Sequence, residues 1–484
     1  MDMMRIVAGA AVCAAVSVGP GYCDRADDLK KEAVAWVADH RAEIEDAARA
    51  IHGYAETSLT EHRSSKLLAD MLERGGFRVE RGVADMPTAF VATYGSGRPV
   101  IGIIAEYDAL PGLSQKAASA VKEPAEEGAP GHGCGHNLFG AGSAGAALAL
   151  KSTMEHSRLP GTVKLFGCPA EETGIGKIYM VKAGVFKGLD ACLNWHPYDV
   201  NIIDLVSNRA MNSFEVSFRG KTAHAASEPW DGRSALDAVE LMDAGVNFLR
   251  EHVKEPVRIH YMIKDGGKAP NIVPDYARVW YFVRDVDRKG VEDVYARVLK
   301  CAEGAALMTG TSYETNLITG LYNYLPNRVI SEVIDRNFRA IGAPPFTPEE
   351  QVFARAIQKT LGVKEEGYST KIEPFEEPKT ISGGSTDVSD VSWNVPTNGE
   401  MKVATRPLGS PNHSWAMTSG SCSGAGFRGM LTAAEVLAAS GVDLLLDPSI
   451  IGKARAEFAE KTAGFTYKSP IPDGQKPPLP GKEK

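Results

Sequence analysis

Cysteine is scarce: seven residues, at positions 13, 23, 134, 168, 192, 301 and 422, are spread over a chain of 484. Spacing this wide excludes the disulfide framework that staples small secreted domains. No Lys/Arg-rich run of five or more occurs, and 53 Lys plus Arg against 61 Asp plus Glu leave a formal net charge of −8. That balance argues against a nucleic-acid partner, which needs clustered basic residues, but it says nothing about the sign of a substrate. Only one stretch reads as apolar enough to suggest a membrane, at the start, where Arg5 precedes thirteen apolar or small residues from Ile6 to Val18. Thirteen is too few to span a bilayer but suits the apolar centre of a secretory leader. Residues 1–23 are therefore expected to be a leader, and the protein to be exported to a periplasm or the exterior. The alternative is a cytoplasmic protein whose first helix is merely apolar. No further membrane segment and no internal repeat are expected.

What is present fits a large globular protein: 44% hydrophobic and 24% charged residues, enough for two or three domains. Residues 26 to 52 place Leu29, Val34, Val37, Ile44 and Ile51 near helical spacing. Val100 to Ala105, Val163 to Gly167 and Ala191 to Trp195 read as buried strands, with helical stretches such as Ala141 to Leu150 between them. The expected fold class is α/β, a mostly parallel sheet with helices on both faces, and its site lies beyond the carboxyl ends of the strands. Near residue 208 the texture changes. Phe214 to Phe218, Arg258 to Ile263 and Ala277 to Val283 alternate, while Ser234 to His252 and Val291 to Leu307 are helical. Two helices and about four strands make an inserted α+β domain. The expected divisions are 24–207 and 325–445 for the catalytic domain, 208–324 for the insert, and 446–484 for a C-terminal extension. The last sixteen residues hold five prolines and read as a loose end.

The densest chemical signal is Gly131-His132-Gly133-Cys134-Gly135-His136-Asn137. Cys134 and His136 on a glycine-rich loop can converge on one cation, because glycine removes steric obstacles. His132 is a third imidazole that could join them or stand outside. Glu171 and Glu172 follow a strand, and adjacent carboxylates repel unless a cation or proton lies between them. One can bind metal while its neighbour takes a proton from water. His196, in Asn194-Trp195-His196-Pro197, and His413, in Asn412-His413-Ser414, are each unremarkable alone. Together Cys134, His136, Glu172, His196 and His413 give five donors, enough for two divalent cations sharing a bridging group. Gly140 to Gly145 (GAGSAG) imitates a dinucleotide fingerprint but lacks the preceding strand, and reads as close helix packing. Gly174-Ile175-Gly176-Lys177 lacks the spacing of a phosphate loop.

The segments AEYDALPG (105–112), HGCGHN (132–137), PAEETGIGK (169–177), NWHP (194–197), GKTAHAA (220–226), GGKAPNIVPD (266–275), GSTDVSDVSW (384–393) and NHSW (412–415) occur in this order. In that order they resemble the amidohydrolase branch of the two-metal aminoacylase/carboxypeptidase peptidases, over residues 28 to 440. The branch includes auxin-conjugate hydrolases, N-acyl-amino-acid hydrolases and p-aminobenzoyl-glutamate hydrolases, and Lys221 to Leu236 most resembles the B subunits of the last. The resemblance implies Cys134, His136, Glu172, His196 and His413 as ligands of two metal ions, Mn or Zn, with Glu171 as general base. It implies Asp108 as a carboxylate orienting a ligand, and His224 on the insert as an oxyanion donor reaching a partner subunit's site. Asn271 and Arg284 are implied substrate-binding residues, Arg284 for a carboxylate. The insert resembles a lid and dimerisation domain, so a homodimer is expected, with a heteromer as the other possibility. The implied activity is hydrolysis of the amide between an acyl or aroyl group and an amino acid. The alternatives are a dipeptidase or carboxypeptidase, or a non-catalytic or regulatory subunit of a heteromeric hydrolase. Asn137 departs from the Asp usual at this place in auxin-conjugate hydrolases.

Overall fold

The computed structural model describes residues 20–375 and 381–481, so the expected leader, apart from its last four residues, lies outside the described residues. Val100–Glu106 is buried at six consecutive positions. Successive strand side chains point to opposite faces, so such a run requires a sheet covered on both sides. The strand lies inside a seven-stranded sheet, between Gly161–Cys168 and Ala191–Leu193, and runs parallel to both. Thr397–Asn398 and Pro326–Asn327 continue the parallel half, while Phe90–Ser96 and Arg78–Arg81 add antiparallel strands at the other edge. The fold is α/β and mostly parallel, as the alternation of strands and helices implies.

Helix His136–Ser157 is buried on nearly every side and packs on strand Val100–Glu106. Its glycines make the approach possible. A Cβ on Gly140 would lie 2.6 Å from the Glu106 carbonyl oxygen, and one on Gly142 would lie 3.1 Å from the Trp195 ring. GAGSAG is thus a packing stripe. Helix Gly424–Leu446 lies against the same helix; it is long and apolar enough to cross a membrane, but 78% of that stretch is buried inside the protein. The N-terminal helical region divides into Pro20–Asp39 and Arg41–Tyr54, because His40 leaves helical geometry.

Residues 210–321 hold a separate antiparallel sheet, in the order Ser312–Leu321, Ala210–Arg219, Tyr276–Asp285, Arg258–Asp265. Tyr276–Asp285 alternates half-buried and buried positions along its length, the mark of a sheet packed on one face. Helices Ala235–Leu249 and Arg288–Thr309 supply that packing and close a second apolar core around Phe214, Val216, Val279 and Tyr281. The side chains of Ser234 and Asp287 accept N–H bonds from the first turns of these helices, as N-caps do.

Two expectations are corrected. Ala191 to Trp195 is not one strand. The Asn194 N–H donates to Asn398 Oδ1 at 2.9 Å, and the chain there passes from the large sheet into a small one formed by Trp195–Tyr198, Glu400–Ala404 and Ile202–Asp204. His196 therefore sits within a strand of the small sheet, not at the end of a strand of the large one. As far as Gly481 the C-terminal segment is not loose either. Ile471 is 2% exposed, the Tyr467 hydroxyl donates to Asp390 Oδ1 at 2.8 Å, and Gln475 Nε2 donates to the Leu317 carbonyl at 2.7 Å. Its prolines restrict the unfolded chain and so lower the entropy cost of laying an extended segment on the surface.

Candidate active site

Backbone geometry sets the site. Gly135 adopts φ +80° at the start of helix His136–Ser157, and a Cβ there would fall 2.2 Å from Met417 Cε and 3.0 Å from Pro197 Cβ. Only glycine lets the Cys134 loop lie so close to the strand that carries His196. Beyond strand Gly161–Cys168, Ala170 adopts φ +57°, uncommon for a residue with a side chain. The buried Glu61 carboxylate accepts the Ala170 N–H at 2.9 Å and the Leu59 N–H at 2.9 Å, bracing from behind the turn that presents Glu171 and Glu172.

Two donor groups centre on Cys134, one with His136 and His196 and one with Glu172 and His413, and a third joins Glu106, His136 and Glu171. Within each group one donor atom per residue lies within 4.8 Å of the others. Cys134 belongs to the first two. His196 Nδ1 donates to the Pro197 carbonyl at 2.8 Å, which leaves its Nε2 lone pair 3.5 Å from Cys134 Sγ. Asp108 ties the groups together: Oδ1 lies 2.8 Å from His136 Nδ1, and Oδ2 accepts the Glu172 N–H at 2.9 Å. His413 Nε2 stands 3.4 Å from Glu172 Oε2.

The chemistry of this set fits divalent cations. His136 Nε2 and Glu172 Oε1 are buried without a hydrogen-bond partner, a state proteins seldom leave uncompensated. Burial, with Asp108 nearby, pushes the Glu172 carboxyl up to about 7, and burial together with Glu172 pushes the Cys134 thiol up to about 12. Glu171 is driven well upward by burial and by the charges of Glu106 and Glu172. Cations among these groups reverse each of these shifts. Deeper in, the fully buried Lys177 places Nζ 2.7 Å from Glu106 Oε1 and 2.5 Å from Asp387 Oδ1, while Glu106 Oε2 lies 3.3 Å from His136 Nε2. The lysine of GIGK is thus a buried counter-ion behind the donors.

A cavity of about 390 Å³ runs from Cys134, Glu171, Glu172, His196 and His413 to Met211, Phe282, Arg284 and Leu321 on the antiparallel sheet. Arg284 Nε is buried and unpartnered, its guanidinium lies 5.4 Å from the Phe282 ring centre, and burial with Arg209 holds it below its ordinary range. On another wall Lys402 reaches Asp204 at 2.6 Å and Glu400 at 3.3 Å. His224 and Asn271 are absent from this lining and exposed on the insert. Ala225 N–H donates to the Asn271 carbonyl at 3.0 Å, and His224 Nδ1 accepts from Ala226 N–H at 3.2 Å and Ser227 N–H at 3.1 Å. His132 stands outside these donor groups. Its Nε2 donates to the Ile51 carbonyl at 3.0 Å, and burial pushes it down to about 3. Asn137 donates to the Ala48 and Ser421 carbonyls, at 3.2 and 2.8 Å, and so fastens the helix. Sequence reasoning missed Glu61, Glu106, Lys177 and Asp387. The last three fall inside recognisable segments, and a charged residue amid apolar neighbours was their only signal.

Comparison with known proteins follows the same line. The family model "Peptidase family M20/M25/M40" matches residues 102–416. The B subunit of the p-aminobenzoyl-glutamate hydrolase of Escherichia coli (strain K12) is 38% identical over 465 residues, spanning 90% of this chain and 96% of its own. The Xaa-Arg dipeptidase of Mus musculus is 30% identical, spanning 91% and 94%. An aminobenzoyl-glutamate utilization protein from Klebsiella pneumoniae shares the fold, with a TM-score of 0.58 at 19% identity over 84% of this chain and 97% of that one. Because the family model covers most of the chain, and full-length relatives align with it almost end to end, this chain belongs to peptidase family M20/M25/M40 and is a metal-dependent hydrolase of amide bonds.

Proposed function

We propose that this hydrolase cleaves the amide between an acyl or aroyl group and an amino acid, with p-aminobenzoyl-glutamate as the type of substrate. One observation carries the reading: a single cavity joins the Cys/His/Glu donor cluster to Arg284, whose buried Nε has no partner. A carboxylate of the amino-acid half meets Arg284, and Phe282, Met211 and Leu321 offer an apolar wall to a ring. The E. coli relative's substrate supports the same choice.

In this reading Cys134, His136, Glu172, His196 and His413 hold two divalent cations, manganese or zinc. When bound, such cations polarise a carbonyl and acidify water. Glu171, on the cavity wall and grouped with Glu106 and His136 rather than with Cys134, takes a proton from the attacking water and passes it to the leaving amine nitrogen. Asp108 fixes the His136 ring through Nδ1. Because His224 Nδ1 accepts two backbone N–H bonds, its proton resides on Nε2, which is then a donor for the oxyanion. A second copy brings His224 and Asn271 to the cavity, in a homodimer formed through the insert. Exposed Phe248, Met262, Leu307 and Met308 on that insert support the contact. A heteromer is the second arrangement, since the E. coli relative is named as one component of its hydrolase. Residues 1–23 support export.

A second reading, cleavage of dipeptides with a basic residue, draws on Asp204 and Glu400 in the cavity wall and on the Xaa-Arg dipeptidase relative. To test the choice, metal-stripped protein is given Mn²⁺ or Zn²⁺ and consumption of p-aminobenzoyl-glutamate is followed beside Xaa-Arg dipeptides. Wild type is expected to consume the first, and Glu171→Ala to keep its metal while losing activity by about 10²–10⁴-fold. Near-full activity in the variant would overturn the base, and cleavage of dipeptides alone would favour the second reading. Size-exclusion chromatography with an activity assay decides between a homodimer active by itself and a chain that needs a different partner subunit.

A further inference from the structure

Behind the Cys134 thiol lies a relay that the roles above do not use. Asn412 Nδ2 points at Cys134 Sγ from 3.6 Å, and Asn412 Oδ1 accepts from Arg406 Nη1 at 3.3 Å. Arg406 is only 3% exposed and is held on several sides. Its Nε donates to the Ser410 carbonyl at 3.1 Å, its guanidinium lies 4.5 Å from the Tyr198 ring centre, and Nη2 faces Asp199 at 3.7 Å. A guanidinium donates and never accepts. The Asn412 amide therefore has one orientation, with its oxygen toward Arg406 and its NH₂ toward sulfur; the flipped amide would set donor against donor.

The sulfur addressed in this way is the donor common to the two cysteine-centred groups. A thiolate that served both groups would have to keep one fixed position, and an N–H donor of fixed orientation restrains it. The same arginine grips Ser410 and Asn412 just ahead of His413. His413 adopts φ +51°, a strained conformation for histidine, and its N–H donates to the Gly133 carbonyl at 3.0 Å. One buried guanidinium thus sets both the shared thiol and the loop that brings His413 to it.

We propose that Arg406 and Asn412 are positioning residues of the metal centre: Asn412, oriented by Arg406, donates to the Cys134 thiolate and holds its sulfur within reach of both cysteine-centred donor groups. This rests on Cys134 being a metal ligand and adds how that ligand is held. The test uses the full chain, stripped of metal and titrated with Mn²⁺ by calorimetry, with circular dichroism to confirm folding. Asn412→Leu keeps the volume and loses the donor. Asn412→Asp keeps the pairing with Arg406, and so the loop, but turns an oxygen toward sulfur. Both are expected to bind Mn²⁺ about 10–100-fold more weakly, and in the Co²⁺-loaded proteins both are expected to shift the thiolate-to-metal absorption band. Wild-type affinity and an unshifted band in Asn412→Asp would overturn the proposal, because a purely structural brace survives that change. A raised KM with unaltered metal affinity would also overturn it, by making Asn412 a substrate contact. Cys134→Ala separates the two failures: if it binds metal as wild type does, the reading of Cys134 as a ligand is what fails.

Discussion

Glu435 lies on the core helix Gly424–Leu446, and burial alone pushes its carboxyl up to about 7. Its folded value is above its unfolded one, so the native state holds a proton that the unfolded chain releases. Stability therefore falls as pH rises from about 4.5 to about 7, then levels off. Glu435→Gln is expected to raise stability at pH 8 by on the order of 3 kcal/mol, with the gain fading below pH 5. Urea unfolding at pH 4.5, 6 and 8 checks this, and a gain independent of pH would refute it. Lys177 is the opposite case, a buried cation between Glu106 and Asp387. Lys177→Met leaves two buried carboxylates facing each other and is expected to cost about 3–5 kcal/mol. Adding Glu106→Gln and Asp387→Asn should restore much of that loss, which equilibrium unfolding of the single and triple variants would show. At this scale the sequence was legible where residue types are rare in combination. Cys134 and His136 among glycines, and Glu171 beside Glu172, stand out in any reading. Glu61 could not stand out, since it braces Ala170 from 109 positions away. Nothing in the sequence marks Lys177 or Arg406 as buried, because burial of a charge depends on partners that only the fold assembles.

Elements were legible where periodicity is unambiguous. Val100–Glu106 and the alternating Tyr276–Asp285 announce sheets covered on two faces and on one. Ala191 to Trp195 is apolar but for Asn194, and a single polar residue does not mark where a strand changes sheets, which is why the break there escaped notice. The glycines of helix His136–Ser157 yield a quantitative case. A Cβ on Gly145 would lie 2.7 Å from Ile44 Cδ1 and 3.2 Å from Ile44 Cγ1. Gly145→Ala gains about 1 kcal/mol of helix propensity, yet overpacking at a full core contact is expected to leave a net loss of about 1–2 kcal/mol. Ile44→Val removes the Cδ1 methyl itself and alone costs about 1 kcal/mol. The two changes together are expected to be less harmful than their sum by about 1–2 kcal/mol. A thermal-denaturation double-mutant cycle measures this coupling, and strict additivity would show that Ile44 is not what excludes a side chain at Gly145.

At the scale of the molecule, the cavity lies between two units with separate apolar cores, and the C-terminal segment is fastened to both. Tyr467 donates to Asp390, the Tyr322 hydroxyl donates to the Lys468 carbonyl at 3.1 Å, and the Tyr179 hydroxyl donates to the Lys476 carbonyl at 3.2 Å. Gln475 reaches the Leu317 carbonyl on the antiparallel sheet and also donates to the Tyr179 hydroxyl at 3.1 Å. None of this was legible in the sequence. An extended proline-rich segment has no periodicity, and it is ordered only because Ile471, Tyr467 and Gln475 find partners distant in the chain. Ending the chain at Ala463 would strip Asp390 of its Tyr467 bond while the carboxyl stays buried, with burial already pushing it up to about 7. It would also expose the apolar surface that Ile471 covers. Those losses are expected to cost about 2–4 kcal/mol. They should act unevenly, because Leu317 and Gly320 lie on the strand next to which Gln475 and Pro470 pack. Amide exchange in Ser312–Leu321 is therefore expected to quicken more than in Val100–Glu106, whose neighbours are untouched. Equal protection of Ser312–Leu321 in the full and shortened chains, with an unchanged melting temperature, would mean that the tail lies on the surface without joining the two units.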